Sequence, residues 1–259
     1  MTIVNNRLTI GYKGDIGSLP VKGDKEPLYS VDKKSTSLKL RLLIIRFMNT
    51  LGMTELPFFR GAVIKISGDD NILFHNHNGV GFRYKYPFIQ YKRISGRAAI
   101  VCIGEGIDEI GMFFINNIKP LEIGERFETF TIQNVTARTH VVQVWNTQFT
   151  YTIRKYLALN QNNYTQFESM DCLTDKIKLL ERCLIGNILS FAKSVRIYFD
   201  KEVTVSILNI VKTQCYHFKG IRMLGFDIVF KTNVSLPNYI GLGKGSSLGF
   251  GTVCKNSKE

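Results

Sequence analysis

The chain has 259 residues, 44% of them apolar, enough for one large domain or two of ordinary size around a real core. Lys and Arg number 34 against 21 Asp and Glu, a formal charge of +13, so the expected partner is a polyanion. No segment reaches the roughly 18 apolar residues of a membrane-spanning helix, and the first thirty residues carry no apolar stretch of a cleavable signal. Nucleic acid is therefore favoured over a bilayer, no membrane partner is expected, and the expected location is cytoplasmic.

In chain order, Thr2 to Ser37 is rich in Gly, Lys, Asp and Pro and reads as an N-terminal extension, residues 1–37. Ser37 to Met48 is nearly continuous apolar sequence and predicts a buried strand. Thr54 to Ile66 predicts a helix, with Thr54 as N-cap and Pro57 in the first turn. After a polar loop, Phe82, Tyr84 and Tyr86 alternate with Arg83 and Lys85 at the period of a strand. Gly96 turns the chain into a strand at Ala98 to Ile103. A helix at Ile107 to Ile118 and a strand at Glu128 to Trp145 complete the order β-α-β-β-α-β.

The same order starts again with a strand at Gln148 to Leu159. Asp171 to Ser194 is the strongest helix, because Leu173, Ile177, Leu180, Leu184, Ile188 and Phe191 recur at steps of three and four. Lys176, Lys178, Glu181, Arg182 and Asn187 are assigned to its opposite face. Gly186, inside the helix, costs about 1 kcal/mol relative to Ala, a cost that close approach of a sheet or of RNA would explain. Strands follow at Val203 to Lys212 and Ile221 to Thr232, and a glycine run stands where the second helix would be. The fold class expected is α+β: two tandem ferredoxin-like (RRM-like) domains, residues 38–145 and 146–259, with a C-terminal glycine-rich loop.

Five glycines, at 241, 243, 245, 249 and 251, fall within that run. Such density marks a backbone that bends through positive φ or lies unusually close to a neighbour. Lys244, Ser246 and Ser247 add a cation and hydroxyls, so Gly241, Gly243, Lys244, Gly245, Ser246 and Ser247 are candidate contacts to phosphate oxygens. The alternative is a surface turn that closes a strand pair. The P-loop pattern fails, because Gly243-Lys244 is followed by Gly245 and Asn238 stands where its first glycine belongs. The dinucleotide pattern fails at Ser246, and too few residues follow for its helix and second strand.

Four histidines occur, and His75 and His77 lie two apart. In an extended segment they share a side, and imidazoles titrate near neutrality, so one can take a proton while the other gives one. Cleavage of RNA by its own 2′-hydroxyl needs those two acts and neither a metal nor a cofactor. A polar loop or a zinc pair are the alternatives; a zinc site lacks further ligands in register. His140 and His217 fall in strand-like sequence and read as structural. Five scattered cysteines without a C-x-x-C pair support neither a disulfide framework nor a zinc site. The stretch from Phe82 to Lys92 interleaves rings with Arg83, Lys85 and Lys92. It suits either base stacking beside phosphate contacts or, as the favoured use of the rings, a half-buried strand.

Several segments together carry a family resemblance: Phe74-His75-Asn76-His77, the run Phe82 to Lys92, Leu157-Ala158-Leu159-Asn160, Leu184 to Ser190, Lys219 to Phe226 and the glycine loop. Over residues 38 to 254 the chain resembles the CRISPR repeat-processing endoribonucleases of the repeat-associated mysterious protein superfamily, in their archaeal and Bacteroidetes-type branch. The first 37 residues depart from that pattern. The resemblance implies a metal-independent endoribonuclease that cuts CRISPR repeat precursor RNA to a 2′,3′-cyclic phosphate and a 5′-hydroxyl. His75 and His77 match its catalytic positions, and Tyr84, Lys85 or Lys92 are open as a third participant. It also implies that the Asp171 helix and the glycine loop hold the RNA, through Lys176, Lys178, Arg182, Lys193 and Lys244. A CRISPR effector complex is the implied recipient of the product, and a homodimer is left open. The rival readings are a catalytically silent RNA-binding subunit of the same superfamily and a DNA-binding accessory protein.

Overall fold

The computed structural model describes residues 39–67, 77–78, 81–82, 86–116 and 120–256, and at 77–78, 81–82 and 112–116 it describes the backbone. The expected extension, residues 1–37, lies outside the described residues.

Strand β1 (Lys39–Thr50) is apolar on both faces because both are covered. Leu40, Leu42 and Ile44 join one buried cluster, and Ile45 and Phe47 join another. Helix α1 (Leu56–Ser67) starts two residues later than expected. Glu55 precedes it, and its carboxylate accepts the Gly52 N–H at 2.6 Å. A short ladder pairs β2 (His77–Asn78) with β3 (Gly81–Phe82). Strands β4 (Ile89–Ile94) and β5 (Arg97–Ile103) turn at Ser95 and Gly96, both at positive φ. Helix α2 (Gly106–Asn116) carries Asp108 and Glu109 in its first turn, where negative charge suits the helix dipole. Asp108 pairs with Arg41 of β1 at 2.8 Å.

The single strand expected from Glu128 to Trp145 is three pieces. Strand β7 (Arg126–Glu128) forms a hairpin with β6 (Leu121–Ile123), β8 (Ile132–Val141) joins the first sheet, and β9 (Val144–Tyr156) opens the second. Val142, fully buried, marks the passage between sheets. Helix α3 (Gln161–Ser169) was not foreseen: it buries none of its residues and shows no apolar period. Its start is held by Asn160, whose Oδ1 accepts the Asn163 N–H at 2.8 Å. Helix α4 (Leu173–Ser194) buries Leu180, Leu184, Ile188 and Phe191. Strands β10 (Val205–Phe218) and β11 (Ile221–Val234) form a long hairpin turned by Lys219 and Gly220, both at positive φ. A final strand, β12 (Thr252–Lys255), ends the described chain.

The sheets are β4-β5-β1-β8 and β10-β11-β9-β12, antiparallel throughout. Each places its second, third, first and fourth strands in that order, so the fold is α+β with two tandem ferredoxin-like units. The first unit has both crossover helices; in the second, residues 235–251 replace one. The far face of the first sheet shares a core with the second unit, since Leu42, Ile44, Val101 and Ile103 cluster with Ile153, Leu184 and Phe230. Among the described residues no helix is long and apolar enough to cross a membrane.

Candidate functional site

His77 stands in extended backbone, paired across its ladder with Phe82. His75, Arg83, Tyr84 and Lys85 lie outside the described residues. Just downstream, the ring of Tyr86 packs 5.1 Å from that of Phe191 in α4, so the exit of the histidine segment is tied to the second unit. Tyr91 is fully buried, edge-on to Phe59 at 5.9 Å. Tyr91 serves the core and leaves no exposed face for a base, while Tyr86 is half-buried against α4.

Lys92 corrects an expectation. It is 1% exposed, and its Nζ donates to the Ser246 carbonyl at 2.9 Å, so it meets the glycine loop and no phosphate. Burial pushes its ammonium down to about 7. Its neighbours act on the same loop. Gln90 Oε1 accepts the Gly241 N–H at 2.8 Å, and the Tyr91 N–H donates to the Ser247 carbonyl at 2.9 Å. Three consecutive residues of β4, the edge strand of the first sheet, thus grip the loop.

The glycines of the loop are set by close approach, Gly241 to Lys92 and the others to different neighbours. A Cβ at Gly241 would lie 2.8 Å from Lys92 Nζ and 2.7 Å from the Ser246 Cβ, and one at Gly251, at φ +58°, would run into the Leu242 carbonyl oxygen. Gly241 and Ser246 are buried, which removes both from the candidate phosphate contacts. Lys244 is exposed, and Gly243, Gly245 and Ser247 are partly so.

On α4, Lys178, Arg182 and Lys193 are exposed and fall at steps of four and eleven, one stripe of the helix. Lys176 leaves that stripe: its Nζ lies 5.1 Å from the centre of the Phe167 ring of α3. Arg182, Gly186 and Asn187 line a groove with Gly243 and Lys244, so α4 and the glycine loop do meet. A Cβ at Gly186 would have nothing within 4 Å.

A second groove was missed by the sequence reading. It encloses about 580 Å³ between the units and is lined by Arg93 of β4, Arg154 and Lys155 of β9, and Lys212 of β10, against one carboxylate, Asp227 of β11. Burial and the Arg93 charge push the Lys155 ammonium below its usual range, against the pull of Asp227; Lys212 lowers it further. A cleft with four cations against one carboxylate favours an anionic ligand. The doublet Arg154-Lys155 was the available signal, since it breaks the alternation of Tyr151 and Ile153.

His140 Nε2 donates to the Ser235 carbonyl at 3.3 Å, and burial lowers its pKa; His217 is exposed on β10. Among the described residues no group of three or more His, Cys, Asp and Glu stands together as a metal site.

Residues 38–141 match the family model of the Cas6b N-terminal domain, and residues 143–256 that of the Cas6b C-terminal domain. A crystal structure of Cas6b superposes with TM-score 0.78 at 32% identity, covering 84% of this chain and all of that one. A crystal structure of a CRISPR RNA processing endoribonuclease Cas6b gives 0.67 at 29% identity, again over 84% of this chain and all of that one. An uncharacterized protein of Methanocaldococcus jannaschii is 35% identical over 103 residues, 40% of this chain and 69% of its own length.

Proposed function

Since the chain belongs to the Cas6b family of CRISPR RNA processing endoribonucleases, we propose that it cuts CRISPR repeat RNA without a metal, using His75 and His77 for proton transfer. The observation that carries this reading is the placing of His77. It stands in extended backbone opposite Phe82, and Tyr86, nine residues further on, packs against Phe191 of α4. One imidazole takes the proton of a ribose 2′-hydroxyl, and the alkoxide attacks the adjacent phosphorus. The other imidazole protonates the departing 5′-oxygen, leaving a 2′,3′-cyclic phosphate and a 5′-hydroxyl.

The RNA lies along the stripe of Lys178, Arg182 and Lys193 and over Gly243, Lys244, Gly245 and Ser247, while the basic cleft takes a further single-stranded stretch. Cations that meet phosphates bind through counterion release, so affinity falls steeply with salt. The released product is then available to a CRISPR effector complex.

The test is single-turnover cleavage of RNA transcribed from the repeat array encoded alongside the protein. His75→Ala and His77→Ala each slow the cut by about 10²- to 10⁴-fold while RNA binding survives. Cleavage persists in EDTA and stops when the scissile nucleotide lacks its 2′-hydroxyl. Loss of activity on chelation with recovery by zinc overturns the metal-free chemistry. RNA that the wild-type protein binds without cutting points instead to a silent assembly subunit.

A further inference from the structure

We propose that Asp227 is a positioning residue for the basic cleft: by accepting the Lys155 N–H it holds a bulge in β9 that turns Lys155 onto the same face as Arg154, and so sets the spacing of the cations that meet a single-stranded phosphodiester backbone. This rests on the reading that the cleft holds RNA.

The register shows the bulge. Phe226 and Ile228 of β11, two residues apart, pair with Tyr156 and Ile153 of β9, three residues apart, so β9 carries one extra residue. Ile153 and Tyr156 both face the core on the α4 side. Ile153 is fully buried, and Asn187 Nδ2 of α4 donates to the Tyr156 hydroxyl at 2.6 Å. Strict alternation would send Lys155 to that side as well. The extra residue leaves Arg154 and Lys155 together on the cleft side instead.

Lys155 adopts φ +51°, a left-handed conformation unfavourable for an L-residue with a long side chain, so something outside it must hold it there. Both of its backbone groups are tied. Its N–H donates to Asp227 Oδ1 at 2.6 Å, and its carbonyl accepts the Gly251 N–H at 3.1 Å. Asp227 sits opposite Lys212 in the β10 register, the lone carboxylate among the cleft's four cations. Its charge opposes an anionic ligand; its hydrogen bond builds the place where that ligand sits.

Charge and geometry predict opposite outcomes, which a salt titration of binding to a single-stranded oligouridylate reads directly. As a mere charge, Asp227 weakens binding, so Asp227→Ala and Asp227→Asn would both tighten it. As a positioning residue, Asp227→Ala loosens binding by about threefold to tenfold and lowers the salt slope by about 0.7, one phosphate contact. Asp227→Asn keeps an acceptor oxygen and retains the wild-type slope. Lys155→Ala lowers the slope equally, and the double variant Asp227→Ala with Lys155→Ala adds no further loss, because both act through one ammonium. Should Asp227→Ala fail to fold, Asp227→Glu keeps the charge but displaces the oxygens by one methylene, and is expected to show the same lowered slope. An unchanged slope in Lys155→Ala, or no binding by the wild type, removes RNA from the cleft. A lowered slope there, with unchanged or tighter binding in Asp227→Ala or in Asp227→Glu, overturns the positioning role alone.

Discussion

The two ferredoxin-like units differ most at the crossover between their third and fourth strands. In the first, α2 fills the space with side chains such as the buried Ile110, and a helix satisfies most of its own backbone groups. In the second, residues 235–251 do so with backbone. The Leu242 N–H donates to Gly251, the Gly251 N–H to Lys155, the Gly241 N–H to Gln90, and Ser247 accepts from Tyr91. A helix carries its bonding partners with it; this loop borrows them from two sheets. It is therefore specified by its surroundings, and its glycines record how close those surroundings come.

The loop's dependence on its surroundings is tested most strongly by Gly251→Ala. The added methyl meets the Leu242 carbonyl, and the residue sits at φ +58°, so a loss of about 3 kcal/mol or more is expected from left-handed strain plus overpacking. Gly220→Ala, at φ +77° but with nothing within 4 Å, isolates the conformational part and should cost about 1–2 kcal/mol. Urea unfolding of both variants measures the difference, and equal losses would mean that close approach contributes nothing.

A smaller effect tests the grip of β4 on the loop. Lys92 titrates near 7 in the folded protein, below the 10.5 of a free lysine. Between those values the unfolded chain holds a proton that the folded chain does not, so stability rises with pH across that window, by up to about 1.4 kcal/mol per pH unit. Below pH 7 both states are charged and the dependence vanishes. The difference between wild-type and Lys92→Met stability curves isolates this group from other titrations. A flat difference from pH 7 to pH 10 would place the ammonium in contact with water.

Gly186 offers the mildest change and an opposite sign. Gly186 has neither a close protein neighbour nor a positive φ, so nothing in the described structure requires glycine there. Gly186→Ala should therefore stabilise the protein by about 1 kcal/mol through helix propensity. If RNA passes over the groove of Arg182 and Lys244, the same substitution weakens RNA binding, as a filter-binding titration would show. Gain in stability with unchanged affinity would keep RNA off this stretch of α4.

Local chemistry was enough for much of the fold. The apolar period of α4, the two-sided apolar run of β1 and the short apolar run of β5 each follow from side chains within a few residues of one another. So did the order of elements that identifies a doubled ferredoxin-like unit, with a glycine run in place of one helix. Helix α3, which buries nothing, left no period to find, and β6, β7 and β12 are too short to show one. Contacts between residues distant in sequence were not legible from local chemistry. Lys92 reads as a surface cation until Ser246 is laid over it, and the glycines read as a phosphate cradle until the Leu242 carbonyl and the Lys92 ammonium occupy the space beside them. The cleft is the extreme case, because Arg93, Arg154, Lys155 and Lys212 come from three strands in two sheets. Lys155 faces the others only through a bulge set by Asp227, a residue 72 positions away. Charge alone marks a residue as soluble; which charges converge depends on how strands register, and register is a property of the assembled sheet.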